Sequence, residues 1–204
     1  KDYYTAQKIF GNAVSLNIIL GVLFSIISIL FLEPILYFFG ASEATLPYAK
    51  EYMFVILLGN LVTHAYLGLN AILRSVGHPR MSMYATIATV IMNAILDPIF
   101  IFGFKMGIQG AAIATILAQL ISLLWQLHTF NNPHEMVHFR KGIYLLSKKI
   151  VKETLSIGLS PFLMNSCACI VVILINRGLG AYGGDLAIGA YGIANRIVFL
   201  FIMV

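Results

Sequence analysis

Apolar residues in this chain come in runs that are long and unbroken. They cover about Val14–Phe39, Tyr48–Leu73, Met83–Phe104, Ile108–Phe130 and Leu155–Asn176, and a further run begins near Leu186 and is still in progress at Val204. The five complete runs each reach the roughly 20 residues that a helix needs to cross a bilayer. None alternates with period two, which argues against the strands of a barrel. Short polar breaks divide them: Ala41–Thr45, the charged Arg74–Arg80 with Gly77 and Pro79, Lys105-Met106-Gly107, and the glycine-rich Gly178–Gly184. Only Asn131–Lys152 is a long polar connection. The pattern predicts an all-α, polytopic integral membrane protein with six transmembrane helices in view. There is no initiating Met and the last run is cut short, so the sequence is expected to be an excerpt of a longer protein.

Composition agrees with the pattern. Of 204 residues, 60% are apolar and 10% charged, against about 25% charged in ordinary soluble domains. The net charge of +5 would suit nucleic acid only if it formed a patch on a soluble module. Here the basic residues sit between hydrophobic runs, so no nucleic-acid partner is expected. Lys1, Lys8, Arg74, Arg80, Arg140, Lys141, Lys148, Lys149 and Lys152 fall in alternate connections, nine on one side, whereas Lys50, Lys105 and Arg177 make three on the other. Under the positive-inside rule the chain starts on the cytoplasmic side.

The long connection carries a pattern of its own. Phe139, Ile143, Leu146 and Ile150 recur at helical spacing, with Arg140, Lys141, Lys148, Lys149 and Lys152 opposite. This predicts an amphipathic helix on the anionic cytoplasmic leaflet; an ordinary basic linker, favoured by Gly142, is the alternative. Either way the connection divides the chain into four spans and then two, as a boundary between lobes would.

An ionisable residue inside a span is costly and therefore the first place to look for function. Asp97 is the candidate. Ser82, Thr86, Thr89, Asn93 and Asp97, three or four apart, form one polar stripe. Asn93 and Asp97 can address the same ion or proton. Pro98 follows, and its missing N–H frees the carbonyl of Ala94; such a break is tolerable beside protein or a water-filled cavity rather than lipid. Asp97 could instead cap a helix end near the headgroups, but Ile99–Phe104 prolong the apolar run. On the next span Gly107, Ala111, Ala118 and Ser122 make a small-residue face suited to close helix packing. Thr115 lies within it and Gln119 at its border.

Other polar residues inside spans are Asn60, Thr63 and His64, then Asn165 and Asn176, then Asn195 and Arg196. They line a cavity or hold helices together by hydrogen bonds. Cys167 and Cys169 point about 200° apart on a helix and begin no metal site. No phosphate-cradling loop, HExxH motif or nucleophile–base–acid set occurs, so neither an ATPase nor another enzyme is expected, and no cofactor or structural metal.

Four stretches now point to a family. Arg74-Ser75-Val76-Gly77-His78-Pro79, Asn93-Ala94-Ile95-Leu96-Asp97-Pro98-Ile99-Phe100 and Met106-Gly107-Ile108-Gln109-Gly110-Ala111-Ala112-Ile113-Ala114-Thr115 resemble multidrug and toxic compound extrusion (MATE) transporters, as does Tyr182–Ile193. The resemblance covers essentially the whole chain and is closest to the bacterial branch that exports cationic drugs. It implies family helices three to eight of twelve, arranged in two six-helix lobes. Residues 1–130 would be the last four helices of the amino-terminal lobe, 131–154 a cytoplasmic interlobe linker, and 155–204 the first two helices of the other lobe. It further implies that Asn93, Asp97 and Thr115 match the family's ion-coupling residues, completed by an acidic residue on a first helix outside this sequence. A sodium-coupled branch carries a glutamate eight residues after a proline on its seventh helix; counting from Pro161, Cys169 stands there instead.

The resemblance thus implies an antiporter of the prokaryotic plasma (inner) membrane, monomeric among its lipids. It would export amphipathic, often cationic organic compounds against a proton or sodium gradient, with transient sodium at Asp97 one form of the coupling. Asn60, His64, Gln119, Asn165, Asn176, Asn195 and Arg196 are candidates for the cavity wall. A lipid-linked precursor flippase of the same superfamily would need more cationic residues than Arg177 and Arg196, and a channel or structural subunit would need no exchangeable carboxylate.

Overall fold

A computed structural model describes residues 3–132, 137–140 and 142–202, with side chains to 198. Lys1 and Lys141 of the basic set lie outside them. The regular elements are helical: α1 (Tyr3–Leu30), α2 (Leu32–Phe38), α3 (Leu46–Leu58), α4 (Asn60–Ser75), α5 (Pro79–Pro98), a π-helical segment (Ile99–Gly103), α6 (Gly107–Phe130) and α7 (Lys148–Ile202). Local chemistry explains the main breaks. Pro34 has no N–H to offer the carbonyl of Leu30, so α1 ends there and the backbone restarts as α2. Pro79 opens α5 at a position where an N–H would be unpaired anyway. Between α3 and α4 the axis bends by 56° at Gly59.

This is an all-α polytopic membrane protein with four membrane-spanning helices, or five when the bent pair α3–α4 counts as one span. Only 6% of the most apolar window of α1 is buried within the protein. A surface of that length and apolarity is compatible with lipid and not with water. At about 1.5 Å per residue α7 is far longer than one crossing of a ~30 Å hydrocarbon layer. It is divided internally: Gly184, with φ 65° and ψ −167°, leaves helical geometry. The glycine-rich run 178–184 is therefore not the loop its composition predicts. Glycine permits a break without imposing one, and residues 178–183 stay helical up to the single position whose conformation only glycine readily adopts.

Two compact units emerge. The first comprises residues 1–30 and 51–157. In it α4 packs on α1, α5 and α6, and α5 lies along α6. Its core gathers Phe10, Tyr66, Leu69, Leu73, Leu123, Phe130, Val137 and Ile143. Phe10 stacks on Phe130 with ring centroids 5.1 Å apart, and Phe139 closes on both.

Val137, Phe139 and Ile143 come from the long connection, whose described residues are irregular from 137 to 147. The amphipathic interface helix expected there is not formed. Side chains of α1 take the backbone groups a helix would use internally. Asn12 donates to Leu145 O (3.2 Å) and accepts from Ser147 N (2.7 Å), Ser15 donates to Tyr144 O (3.0 Å), and Gln7 pairs with His138 through both main-chain groups. Gly11 makes the approach possible: a Cβ there would stand 2.2 Å from the carbonyl oxygen of Ile143. The apolar residues of the connection therefore turn inward, Ile143 and Val137 being buried.

The second unit comprises residues 31–50 and 158–204. Leu32, Leu36 and Ile173 are its buried apolar residues among those described. The turn between α2 and α3 is ordered by Ser42 and Thr45, each capping the other's main-chain N–H at 2.9 and 3.2 Å, and Lys50 pairs with Glu33 across its base.

Candidate functional site

The polar stripe of α5 hydrogen-bonds to the neighbouring helices α4 and α6. From its start, Ser82 and Asn70 of α4 bond reciprocally, Asn70 also reaching Thr86 at 3.4 Å. One turn on, Thr89 donates to Ser122 of α6 at 2.6 Å. Next, the Asn93 amide nitrogen donates to Asp97 Oδ1 (3.0 Å) and to Thr115 Oγ1 of α6 (3.3 Å), while Thr115 itself donates to Ala111 O (2.9 Å). All three residues of this group are half-buried.

Asp97 is not a helix-end cap. The helix continues past Pro98 as five π-helical residues, with Phe104 N bonded to Ile99 O at 2.9 Å. The expected break is thus a widening. Proline removes one ladder bond, and the longer i→i+5 pattern resumes beyond it without ending the span. The carboxylate sits one residue before the proline, inside a membrane helix and against α6. Among the described residues, Asp97 Oδ2 and Asn93 Oδ1 take no hydrogen bond.

The remaining residues singled out from sequence are distributed differently. Asn60 ties α4 to α1 through Gly21 O (3.3 Å) and Ser25 (2.9 Å). Thr63 donates to Gln119 at 2.6 Å, and His64 packs near Gly21. These bonds hold helices together in the first unit. In the second, Asn165 bonds back to Pro161 O at 2.8 Å within its own helix, and Asn176 donates to Phe39 O at 3.2 Å. Asn195 is half-buried and Arg196 exposed. Cys167 is exposed and Cys169 half-buried, both as free thiols.

Sequence reasoning overlooked Asn70, a lone amide in the apolar run of α4 whose partner is the first residue of the α5 stripe. It also overlooked Gln126, fully buried on α6 with neither side-chain atom hydrogen-bonded. Among the described residues, no group of three or more His, Cys, Asp or Glu is placed to hold a metal. Two cavities open in the first unit. One of about 550 Å³ is lined by Tyr3, Gln7, Lys8 and Arg140, and one of about 280 Å³ by Asn17, Gly68, Phe139 and Tyr144. Neither touches the Asp97 group.

Comparison with known proteins shows what this chain is similar to. The MatE family profile matches residues 1–99. The multidrug export protein MepA of Staphylococcus saprophyticus is 30% identical over 198 residues, 97% of this chain and 44% of MepA. The chain thus spans less than half the length of the curated relatives it matches. A solved inward-facing MATE multidrug-resistance transporter of the MOP superfamily is 27% identical with a TM-score of 0.90, covering 99% of this chain and 47% of its own. An outward-facing one is 28% identical with a TM-score of 0.82, covering 98% and 44%. In sequence and in fold the chain is therefore similar to MATE multidrug transporters, the MatE profile matching its first 99 residues.

Proposed function

We propose that this chain is the central part of an ion-coupled antiporter that exports amphipathic, often cationic organic compounds by alternating access. Asn93, Asp97 and Thr115 would couple export to a proton or sodium gradient. The carrying observation is the Asn93 amide held between the Asp97 carboxylate and Thr115, inside a membrane span and beside a π-helical widening. A primary amide can donate to an ionised carboxylate and, rotated by half a turn, accept from a protonated one. Asn93 can thus follow the charge on Asp97 and pass the change to α6 through Thr115. With Asp97 ionised, its free oxygen and the Asn93 carbonyl offer a hard oxygen pair to sodium. Binding of ion and drug is then linked, since a proton removes, and sodium occupies, the negative charge that a cationic drug favours. That MepA is described as a multidrug export protein supports the same substrate class.

In this reading α7 supplies two spans, meeting at Gly184. With α1–α2, α3–α4, α5 plus its π segment, and α6, six helices of a full twelve are present. Residues 1–130 and 155–204 belong to two lobes joined by 131–154, and the chain starts in the cytoplasm of a prokaryotic cell. The flippase reading is less favoured because Arg177, one of its two available cations, lies over the ring of Phe38 at 5.2 Å. The test is uptake of a cationic dye by proteoliposomes holding the full-length protein, under an imposed pH or sodium gradient. Uptake that follows either gradient is expected; uptake indifferent to both defeats the proposal.

A further inference from the structure

The second unit contains a set of contacts that the coupling site does not use. The turn between α2 and α3 meets α7 at three points. Asn176 donates to Phe39 O at 3.2 Å, the Arg177 guanidinium lies 5.2 Å from the centre of the Phe38 ring, and Ser42 Oγ donates to Asp185 Oδ2 at 2.9 Å. Gly40 brings the chains together. Its φ of 101° suits glycine, and a Cβ there would stand 3.1 Å from the Asn176 Cβ, tighter than ordinary contact. We propose that these residues form a latch: turn and helix close one end of the transporter, and the contact must open in each transport cycle. The inference rests on the antiporter reading, in which the turn belongs to the amino-terminal lobe, α7 to the other, and both lie at the extracytoplasmic end.

Three features distinguish a latch from permanent packing. The turn is rigid by itself, because Ser42 and Thr45 cap each other and Lys50 pairs with Glu33. It therefore presents a preformed surface and does not depend on α7 for its shape. Each of these three contacts is polar or cation–π and involves side chains that are exposed or half-buried, so water can replace it. Asp185 also directly follows Gly184, where the helix already departs from regular geometry. A small backbone change there moves Asp185 away from Ser42 without unwinding either helical part of α7.

The test uses the full-length protein with Cys167→Ala and Cys169→Ala, carrying Ser42→Cys and Asp185→Cys. Oxidation in proteoliposomes should form the disulfide and slow exchange of a cationic dye at least tenfold, and reductant should restore it. Failure of the pair to cross-link, or undiminished exchange after cross-linking, overturns the latch. If the reduced pair is inactive, a second measurement decides. Ala41→Cys should react severalfold faster with an impermeant thiol reagent when Asn176→Ala and Arg177→Gln are added, and an unchanged rate overturns the proposal. A parent protein that ignores both ion gradients defeats the antiporter reading instead, a separate outcome.

Discussion

Asn93 donates to Asp97 and to Thr115 at once, with 3.0 Å and 3.3 Å between heavy atoms. One amide therefore joins the charge of α5 to the hydroxyl of α6. Since Thr115 passes its own hydrogen to Ala111 O, its oxygen is left to accept. An ionised Asp97 can only accept from Asn93, as it does here.

Asp97→Asn fixes that charge at zero while keeping size and much of the hydrogen bonding. Gradient-driven dye efflux should fall on the order of tenfold, equivalent to about 1.4 kcal/mol, and lose its dependence on pH and sodium. Thr115→Ala removes one neutral bond, about 1 kcal/mol, and should act less strongly. Efflux from proteoliposomes across pH, with and without sodium, compares them. A mutant with the parent's flux and ion dependence would remove Asp97 from the coupling.

Cys169 is a half-buried free thiol on α7. Cys169→Ala should keep the parent's ion dependence in the same efflux assay. A normally folded Cys169→Ala protein without gradient response would place coupling on α7 instead.

The basic connections should face the cytoplasm. With Cys167, Cys169 and any cysteine outside this sequence replaced, Ser75→Cys and Ser147→Cys should resist an impermeant thiol reagent added to whole cells and react after the cells are opened. Rapid labelling of both in intact cells would reverse the assigned orientation.

Phe10 is nearly fully buried between Phe130 and Phe139. Phe10→Ala should cost about 3 kcal/mol or more through the cavity it leaves, seen as a lower unfolding temperature in detergent. Since it lies apart from the Asp97 group, ion dependence of the remaining flux should persist. A shift in that dependence would mean that packing at this end controls coupling.

The sequence by itself determined the membrane character, the approximate span lengths and the polar face of α5. These are local properties: apolar run length answers to bilayer thickness, and residues three and four apart share a helix face whatever lies beside it. It also drew attention to Asn93, Asp97 and Thr115, the last through family resemblance and not through spacing. Only the tertiary structure decided that Thr115 stands opposite Asn93, that Asn70 meets Ser82, and that Asn176 turns to Phe39. Partners remote in sequence are chosen by packing, which no single segment encodes. The two local misreadings have the same cause. Residues 137–147 have helical periodicity, but Gln7, Asn12 and Ser15 of α1 engage their main chain first. The glycines of 178–183 were free to bend, and nothing required them to until Gly184.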